Sequence, residues 1–380
     1  MYSQRFSVSF AYDVVFTRDV FAEGNSSLAT VLGTEEAKLV AVLDSGLVAA
    51  WPGTPRAVER WCSRHGRFQL ACPPHIVEGG EKAKNSLEIL DEVGRLAADA
   101  HLSRSDYVLI IGGGAVLDAV GFAASTVHRG IRHVRIPTTA ISQGDSGVGV
   151  KNSLNRFGHK NYYGAFVPPH AVVNDTNFLR TLSDRDWAGG IAESFKVAVI
   201  KDAAFLDSLL RSADLLHARN LDVMEEVVRR TAILHLDHIR TSGDPFERGS
   251  ARPLDFGHWA AHRLESLSGH RLGHGQAVAI GMAIDLVAAS RMGLIASDEV
   301  ARILGGLERC GLPLWDPLLD ERLPDGKPAI LLGLAEFAEH LGGKLTLAMP
   351  RGVGRMTFVH DLPETLVKDA LEHLRQRSAQ

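Results

Sequence analysis

The sequence predicts an α/β fold in which a parallel sheet, helices on both faces, is followed by a helical half. Three observations carry this. The apolar run at 107–111 leads straight into Gly112-Gly113-Gly114; short β-branched runs alternate with helical segments through the first half; and long helical segments dominate after residue 182. Strands that alternate with helices pair in parallel, because each crossover helix returns the chain to the same edge direction.

In chain order, 39–43 is a strand ending at Asp44, 55–62 has helical spacing, and 87–100 is an amphipathic helix. The glycine-ended strand at 107–111 follows, then a strand at 134–136 stopped by Pro137. The later helices are expected at 186–200, 203–212, 223–239, 250–267, 276–291, 297–310 and 364–375. Pro168-Pro169 and 320–328 read as loops. The change of pattern sets a domain boundary near 181, giving an α/β nucleotide-binding domain over 1–181 and a helical domain over 182–380.

The 380 residues are 45% hydrophobic and 23% charged, enough apolar material for two cores. A net charge of −4 gives no global attraction to nucleic acid or to an anionic membrane. Cys62, Cys72 and Cys310 have no CxxC spacing and read as reduced thiols. No run of about 18 apolar residues reads as a membrane span, and the N-terminal residues lack the pattern of a signal peptide. The expectation is a cytoplasmic protein with no membrane partner.

A strand that ends in glycines lets a backbone approach a pyrophosphate, and the following helix offers its first N–H groups to the phosphates. Gly113, Gly114 and Asp118 are therefore candidate dinucleotide contacts. Asp44, at a strand end, is placed either to accept ribose hydroxyls or to cap the next helix. Glu81 and Lys84 stand in a second glycine turn, as ribose and phosphate partners or as a solvated charged loop. In the segment 137–161, Thr138 and Thr139 follow a strand, and three glycines flank Asp145 before Lys151, Lys160 and Asn161. No Gly-Lys-Ser/Thr closes it, so it is not a Walker loop. Two lysines and an asparagine suit a phosphorylated substrate, whose dianion needs compact cationic donors.

Glu193 and Lys196 share one helix face three residues apart. His258 and His262 stand at i, i+4 in DFGHWAAH, and His274 follows in the turn GHG. One carboxylate and two imidazoles suit Zn²⁺ with an open coordination position. With 17 histidines in the chain, spacing alone leaves a structural pair equally open. HWAAH lacks the glutamate of a zincin HExxH motif.

The ordered series GGGAVLDAVGFAAS, HRGIRHVRIPTT, DSGVGVKN, FGHKN, IAESFKVAVIKD, LDFGHWAAH and HGQAVAIG resembles the 3-dehydroquinate synthase family of sugar phosphate cyclases, over nearly the whole chain. The resemblance implies a Rossmann-like parallel-sheet domain followed by an all-helical metal-binding domain, a bound NAD reduced and regenerated in each turnover, Zn²⁺ (or Co²⁺), and a homodimer. It implies that Glu193, His258 and His274 hold the metal. Asp44, Glu81, Lys84, Gly113, Gly114, Asp118, Thr138, Thr139, Asp145, Lys151, Lys160 and the turn from Phe178 to Thr181 would contact NAD. Lys151, Asn161, Lys196 and His262 would contact substrate, and Arg129 would reach its phosphate across the dimer. His340 stands in the late segment where dehydroquinate-forming members have lysine, as in cyclases acting on sedoheptulose 7-phosphate.

Departures from the family pattern bear on the substrate. Ala251 stands at the position of a carboxylate-gripping arginine, with Arg252 one place along. Asp255 replaces an asparagine, Asp237 a lysine, and Gln276 the usual glutamate. Loss of two cations and gain of carboxylates disfavour an anionic substrate end, so the expected substrate is sedoheptulose 7-phosphate, giving a valiolone-type cyclitol. The alternatives are a 3-dehydroquinate synthase acting on 3-deoxy-arabino-heptulosonate 7-phosphate with Arg252 in the vacant role, an iron-type polyol dehydrogenase, and a non-catalytic NAD-binding homologue.

Overall fold

The computed structural model describes every residue except 248, 250, 251, 270 and 380, and the backbone alone of His340. The substitution at Ala251 therefore lies outside the described residues. The chain forms two compact units, Met1–Thr181 and Leu182–Gln380.

The first unit is built on strands β1 (Asp13–Thr17), β2 (Ala37–Asp44), β3 (Phe68–Leu70), β4 (His75–Val77), β5 (Tyr107–Gly112), β6 (Arg132–Pro137) and β9 (Ala171–Asp175). Their order is β1-β9-β6-β5-β2-β3, with β4 also on β2, and every pairing is parallel. Parallel strands are covered on both faces and so read as continuous apolar runs. Side chains alternate across the sheet accordingly. Leu39, Ala41, Leu43, Leu109 and Ile111 join one core with Trp61 and Phe68. Val40, Val42, Val108 and Ile110 face the other core, beneath α4 (Glu88–Asp99) and α5 (Gly114–Thr126). Helices α1 (Ser27–Leu32), α2 (Ser45–Ala50) and α3 (Thr54–His65) complete the unit.

The segment after β6 is not a plain loop. A π-helical turn at Ser142–Ser146 leads into an antiparallel hairpin of β7 (Lys151–Arg156) and β8 (His159–Phe166). Phe157 and Gly158 make its tip with φ of 53° and 78°, the left-handed pair that a tight hairpin of right-twisted strands requires.

The second unit is helical, as expected, with one short antiparallel pair added, β10 (Leu347–Pro350) and β11 (Met356–Val359). Its helices are α6 (Asp184–Lys201), α7 (Ala203–His217), α8 (Leu221–Thr241), α9 (His258–Leu267), α10 (His274–Arg291), α11 (Ser297–Arg309), α12 (Leu332–His340) and α13 (Glu364–Ser378). From Trp187 to Ile200 every residue of α6 is buried, and α10 is buried from Ala277 to Ala289. The helix expected from 250 begins at His258 instead. Gly257 takes φ of 79° ahead of it, where a Cβ would meet the Met282 nitrogen at 2.7 Å. Among the described residues, no helix is long and apolar enough to cross a membrane.

Candidate active site

In the second unit, one ligand atom each from Glu193, His258 and His274 lie within 4.8 Å of one another. Glu193 sits midway along α6, and the two histidines are the first residues of α9 and α10. Glycines set this convergence. A Cβ on Gly275 would fall 2.2 Å from the Cα of Gly189, so α10 meets α6 backbone to backbone one turn before Glu193. A Cβ on Gly281 would fall 2.1 Å from the carbonyl oxygen of Gly257, which brings α10 equally close to the start of α9. Asp285 fixes that second contact, accepting from the Gly257 nitrogen at 3.0 Å and from Trp259 Nε1 at 2.8 Å.

His274 stands between two carboxylates, with Nε2 3.1 Å from Glu193 Oε1 and Nδ1 3.5 Å from Glu265 Oε1. Burial pulls its pKa down, but the hydrogen bonds to Glu193 and Glu265 outweigh that and raise it to about 10. Burial and the Lys196 ammonium lower His258, against the pull of Glu193, leaving it the neutral imidazole that a metal needs. Its Nδ1 is 3.2 Å from the Phe256 carbonyl, and the tautomer with hydrogen on Nδ1 leaves the lone pair on Nε2. Lys196 Nζ lies 2.5 Å from Glu193 Oε2, both side chains buried. His262 is one turn beyond His258, with ring centroids 5.4 Å apart, and burial drives its pKa down to about 3. One carboxylate, two imidazoles and a carboxylate behind one of them form a donor set that fits a divalent, borderline-soft ion such as Zn²⁺.

Sequence reasoning missed Glu265. It lies seven residues after His258 and three after His262, so the i, i+4, i+7 face of α9 carries the signal. Gln276, which stands where the family usually has glutamate, caps its own helix. Its Oε1 accepts from the Gly273 nitrogen at 3.2 Å, capping α10, while Glu265 backs the histidine. His274 begins a helix and is not in a free turn.

In the first unit, glycines close around Asp44. A Cβ on Gly79 would lie 2.0 Å from Asp44 Oδ1, and one on Gly112 would lie 2.8 Å from Asp44 Cβ. Oδ1 accepts from Gly46 N at 2.7 Å as the N-cap of α2, and Oδ2 from Gly113 N at 3.3 Å. The capping role left open by the sequence is thus present, and the carboxylate also reaches the glycine turn. At the start of α5, a Cβ on Gly114 would come within 2.7 Å of Ser146 Oγ, a buried hydroxyl with no hydrogen-bond partner among the described residues. An orphaned hydroxyl facing a helix N-terminus and a cradle that admits no Cβ fit a dinucleotide pyrophosphate. Thr138 is buried, Thr139 Oγ1 is 2.8 Å from Ser142 Oγ, and Asp145 lies in the π-helical turn.

Lys84 is 5% exposed, which removes the solvated-loop reading for it. Its ammonium donates to Asp118 Oδ2 at 2.7 Å, Ser153 Oγ at 2.9 Å and Asn161 Oδ1 at 2.5 Å. One buried cation thus joins Asp118, which the resemblance places on the cofactor, to Asn161, which it places on substrate, with Ser153 between them. Glu81 accepts from Asn155 Nδ2 at 2.7 Å. Lys151 opens β7 and Lys160 lies in β8. The turn from Phe178 to Thr181 is a 3₁₀ helix packed on Trp51, whose Nε1 donates to Thr181 Oγ1 at 2.8 Å and whose ring meets Phe178 edge-on at 6.1 Å. Arg129 is exposed, in a turn where His128, Arg129 and Gly130 all have positive φ. His340 ends α12, and its side chain lies outside the described residues.

Residues 74–189 match the family description "3-dehydroquinate synthase N-terminal" and 190–325 match "3-dehydroquinate synthase C-terminal". The chain is 36% identical over 304 residues to a 2-epi-5-epi-valiolone synthase of Streptomyces glaucescens, covering 79% of this chain and 76% of that protein. It is 33% identical over 366 residues to a 3-dehydroquinate synthase of Ruegeria sp. strain TM1040, covering 95% and 94%. It is also similar to ValA, the 2-epi-5-epi-valiolone synthase of Streptomyces hygroscopicus subsp. jinggangensis 5008, whose structure has NAD⁺ and Zn²⁺ bound. The TM-score is 0.87 at 30% identity over 99% of this chain and 100% of that one.

Proposed function

The chain belongs to the 3-dehydroquinate synthase family, and on that premise we propose that it is an NAD- and metal-dependent sugar phosphate cyclase. Its substrate is sedoheptulose 7-phosphate or a ketose phosphate with the same uncharged head, converted with loss of phosphate and aldol ring closure to a valiolone-type cyclitol. Relatives making either cyclitol are similar to it, so the choice rests on residues of this chain. One observation carries it. Arg252, the cation adjacent to the vacant arginine position, donates to the carbonyls of Glu247 at 2.5 Å and Gly249 at 2.9 Å, with Nε 3.5 Å from the Glu247 carboxylate. A guanidinium engaged by its own loop is not held ready for a substrate carboxylate, a contact worth roughly 1.5–3 kcal/mol. Asp237, where a lysine is expected, adds a carboxylate, paired with Arg240 at 2.8 Å.

When bound, NAD supplies a hydride acceptor that is regenerated in the cycle, and the divalent ion supplies Lewis acidity toward the substrate's hydroxyls. Glu193, His258 and His274 are assigned to the ion. Asp44, Glu81, Lys84, the Gly113-Gly114 turn, Asp118, Thr138, Thr139, Asp145, Lys160 and the turn at Phe178 and Thr181 are assigned to NAD. Lys196 and His262 are assigned to substrate hydroxyls. His262 stays neutral at pH 7, so it offers hydrogen bonds and no positive charge. Lys151 and Asn161 are assigned to substrate, with Arg129 completing the phosphate contact from a second copy in a homodimer. The elimination asks little base chemistry of the protein, because the leaving phosphate can itself take the proton; orientation and charge compensation are what these residues provide.

Phosphate release and product mass, measured with a panel of heptulose 7-phosphates in the presence of NAD⁺ and Zn²⁺ or Co²⁺, test the reading. Turnover of sedoheptulose 7-phosphate supports it. Turnover of 3-deoxy-arabino-heptulosonate 7-phosphate alone would replace it with dehydroquinate synthesis.

A further inference from the structure

Arg135 is the only arginine among the large side chains with under 2% exposure in the described residues, and no carboxylate hydrogen-bonds to it. It projects from the middle of β6. Nη1 donates to the carbonyls of Gly147 at 3.1 Å and Gly149 at 2.9 Å. Nη2 donates to the Lys151 carbonyl at 3.0 Å and to Asn152 Oδ1 at 2.6 Å. All four acceptors come from one six-residue stretch, 147–152, that runs from just after the turn that holds Asp145 into the start of β7. Asn152 is fixed in turn, donating to the Val167 carbonyl at 2.9 Å. Room for the cluster comes from α5, where a Cβ on Gly121 would strike Asn152 Oδ1 at 2.1 Å.

Burying a guanidinium without a hydrogen-bonded anion is costly, and burial accordingly lowers its pKa, with Asp118 the largest compensating charge. A core position on a parallel strand would be filled more cheaply by an apolar side chain. What arginine supplies is a planar fork whose two terminal nitrogens reach four acceptors in fixed directions, a geometry that neither the single ammonium of lysine nor an apolar residue reproduces.

We propose that Arg135 is a positioning residue for the reaction. It ties 147–152 to the sheet and so sets where Asp145 meets the dinucleotide and Lys151 the sugar phosphate. This rests on the roles assigned above to Asp145 and Lys151. The test compares wild type, Arg135→Lys, Arg135→Met and Asn152→Ser. The measurements are amide hydrogen exchange over 145–152, NAD⁺ affinity by titration, and kcat and KM with sedoheptulose 7-phosphate.

In Arg135→Lys, exchange over 147–152 rises at least tenfold while β5 and α5 keep wild-type protection. NAD⁺ Kd and sugar phosphate KM rise about 10–100-fold, the range typical when a residue orienting a site is removed, and kcat falls less than KM rises. Arg135→Met is no better than Arg135→Lys, because geometry and not charge is what is lost. Should both Arg135 variants fail to fold, Asn152→Ser, which removes one acceptor, shows the same changes at smaller size. Exchange, Kd and KM all within twofold of wild type in any folded variant would overturn the proposal. A wild type that binds NAD⁺ but turns over no heptulose phosphate defeats the functional reading, while exchange and Kd still judge Arg135. A wild type that binds no NAD⁺ overturns both.

Discussion

Gly189 and Gly275 bring two buried helices into backbone contact: a side chain on the second would begin 2.2 Å from the Cα of the first and 2.5 Å from its carbonyl oxygen. Glu193 follows one turn after Gly189, and His274 immediately precedes Gly275. Gly275→Ala is expected to cost about 1–3 kcal/mol by overpacking and to weaken Zn²⁺ binding by more than tenfold. Denaturant unfolding of the metal-free protein and a competitive zinc titration measure the two separately; wild-type affinity in the folded variant would show that helix spacing does not set the donor distances.

Glu265→Gln keeps the shape of a side chain 3.5 Å from His274 Nδ1 and removes its charge. Zinc affinity should fall about 10–100-fold, the usual effect of losing a carboxylate behind a ligating imidazole, with the circular dichroism spectrum unchanged. A fall of less than threefold excludes the role.

Asp285 gives the fold a pH signature. Burial raises its pKa from 3.8 to about 7, even though hydrogen bonds from Trp259 and Gly257 pull the other way. Between those values the folded protein keeps a proton that the unfolded chain has released. This contribution to stability is therefore complete below about pH 4 and is lost as the pH rises toward 7, at no more than about 1.4 kcal/mol per unit. Unfolding free energies of wild type and Asp285→Asn across pH 5–7.5 should diverge in slope, with the variant flatter; parallel curves would refute this.

Gly79→Ala would push a methyl to within 2.0 Å of Asp44 Oδ1. Either the carboxylate turns away or the loop moves, and both displace the group assigned to ribose. NAD⁺ Kd is expected to rise at least tenfold, since a hydrogen bond to a charged group contributes about 1.5–3 kcal/mol, with little change in zinc affinity. Unaltered NAD⁺ binding would remove Asp44 from the cofactor set.

Much of the fold was legible because its central strands are buried on both faces. Leu39 to Leu43 and Tyr107 to Ile111 cannot be read as anything but core. Long helices such as α8 and α11 carry one apolar stripe and declare themselves the same way. The β7–β8 hairpin was invisible for the opposite reason: apart from Leu154, Gly164 and Ala165 its strand residues are polar or aromatic, and most of β8 is exposed, so no two-residue alternation marks it. The start of α9 was misplaced because it is set by the close approach of Gly257 to Gly281, a contact 24 positions away in sequence. The three residues assigned to the metal could be grouped only through the ordered motifs, since spacing cannot bring Glu193 to a histidine 81 residues later. The convergence of Lys84, Asp118, Ser153 and Asn161 on one ammonium had no sequence signal, because four segments supply it.

Both histidines assigned to the ion open their helices, and this affects how tightly an ion would be retained. The first turn of a helix carries roughly half a positive charge, and here two such ends adjoin the donors, with the Lys196 ammonium nearby. Three carboxylates stand against them: Glu193, Glu265, and Asp255, whose charge acts on His258 and His262. The socket is close to electrical balance and does not form a deep negative well. A resident cation should therefore exchange during dialysis against a chelator and be replaceable by cobalt, so that the element recovered after purification reflects supply in the growth medium as much as preference of the protein.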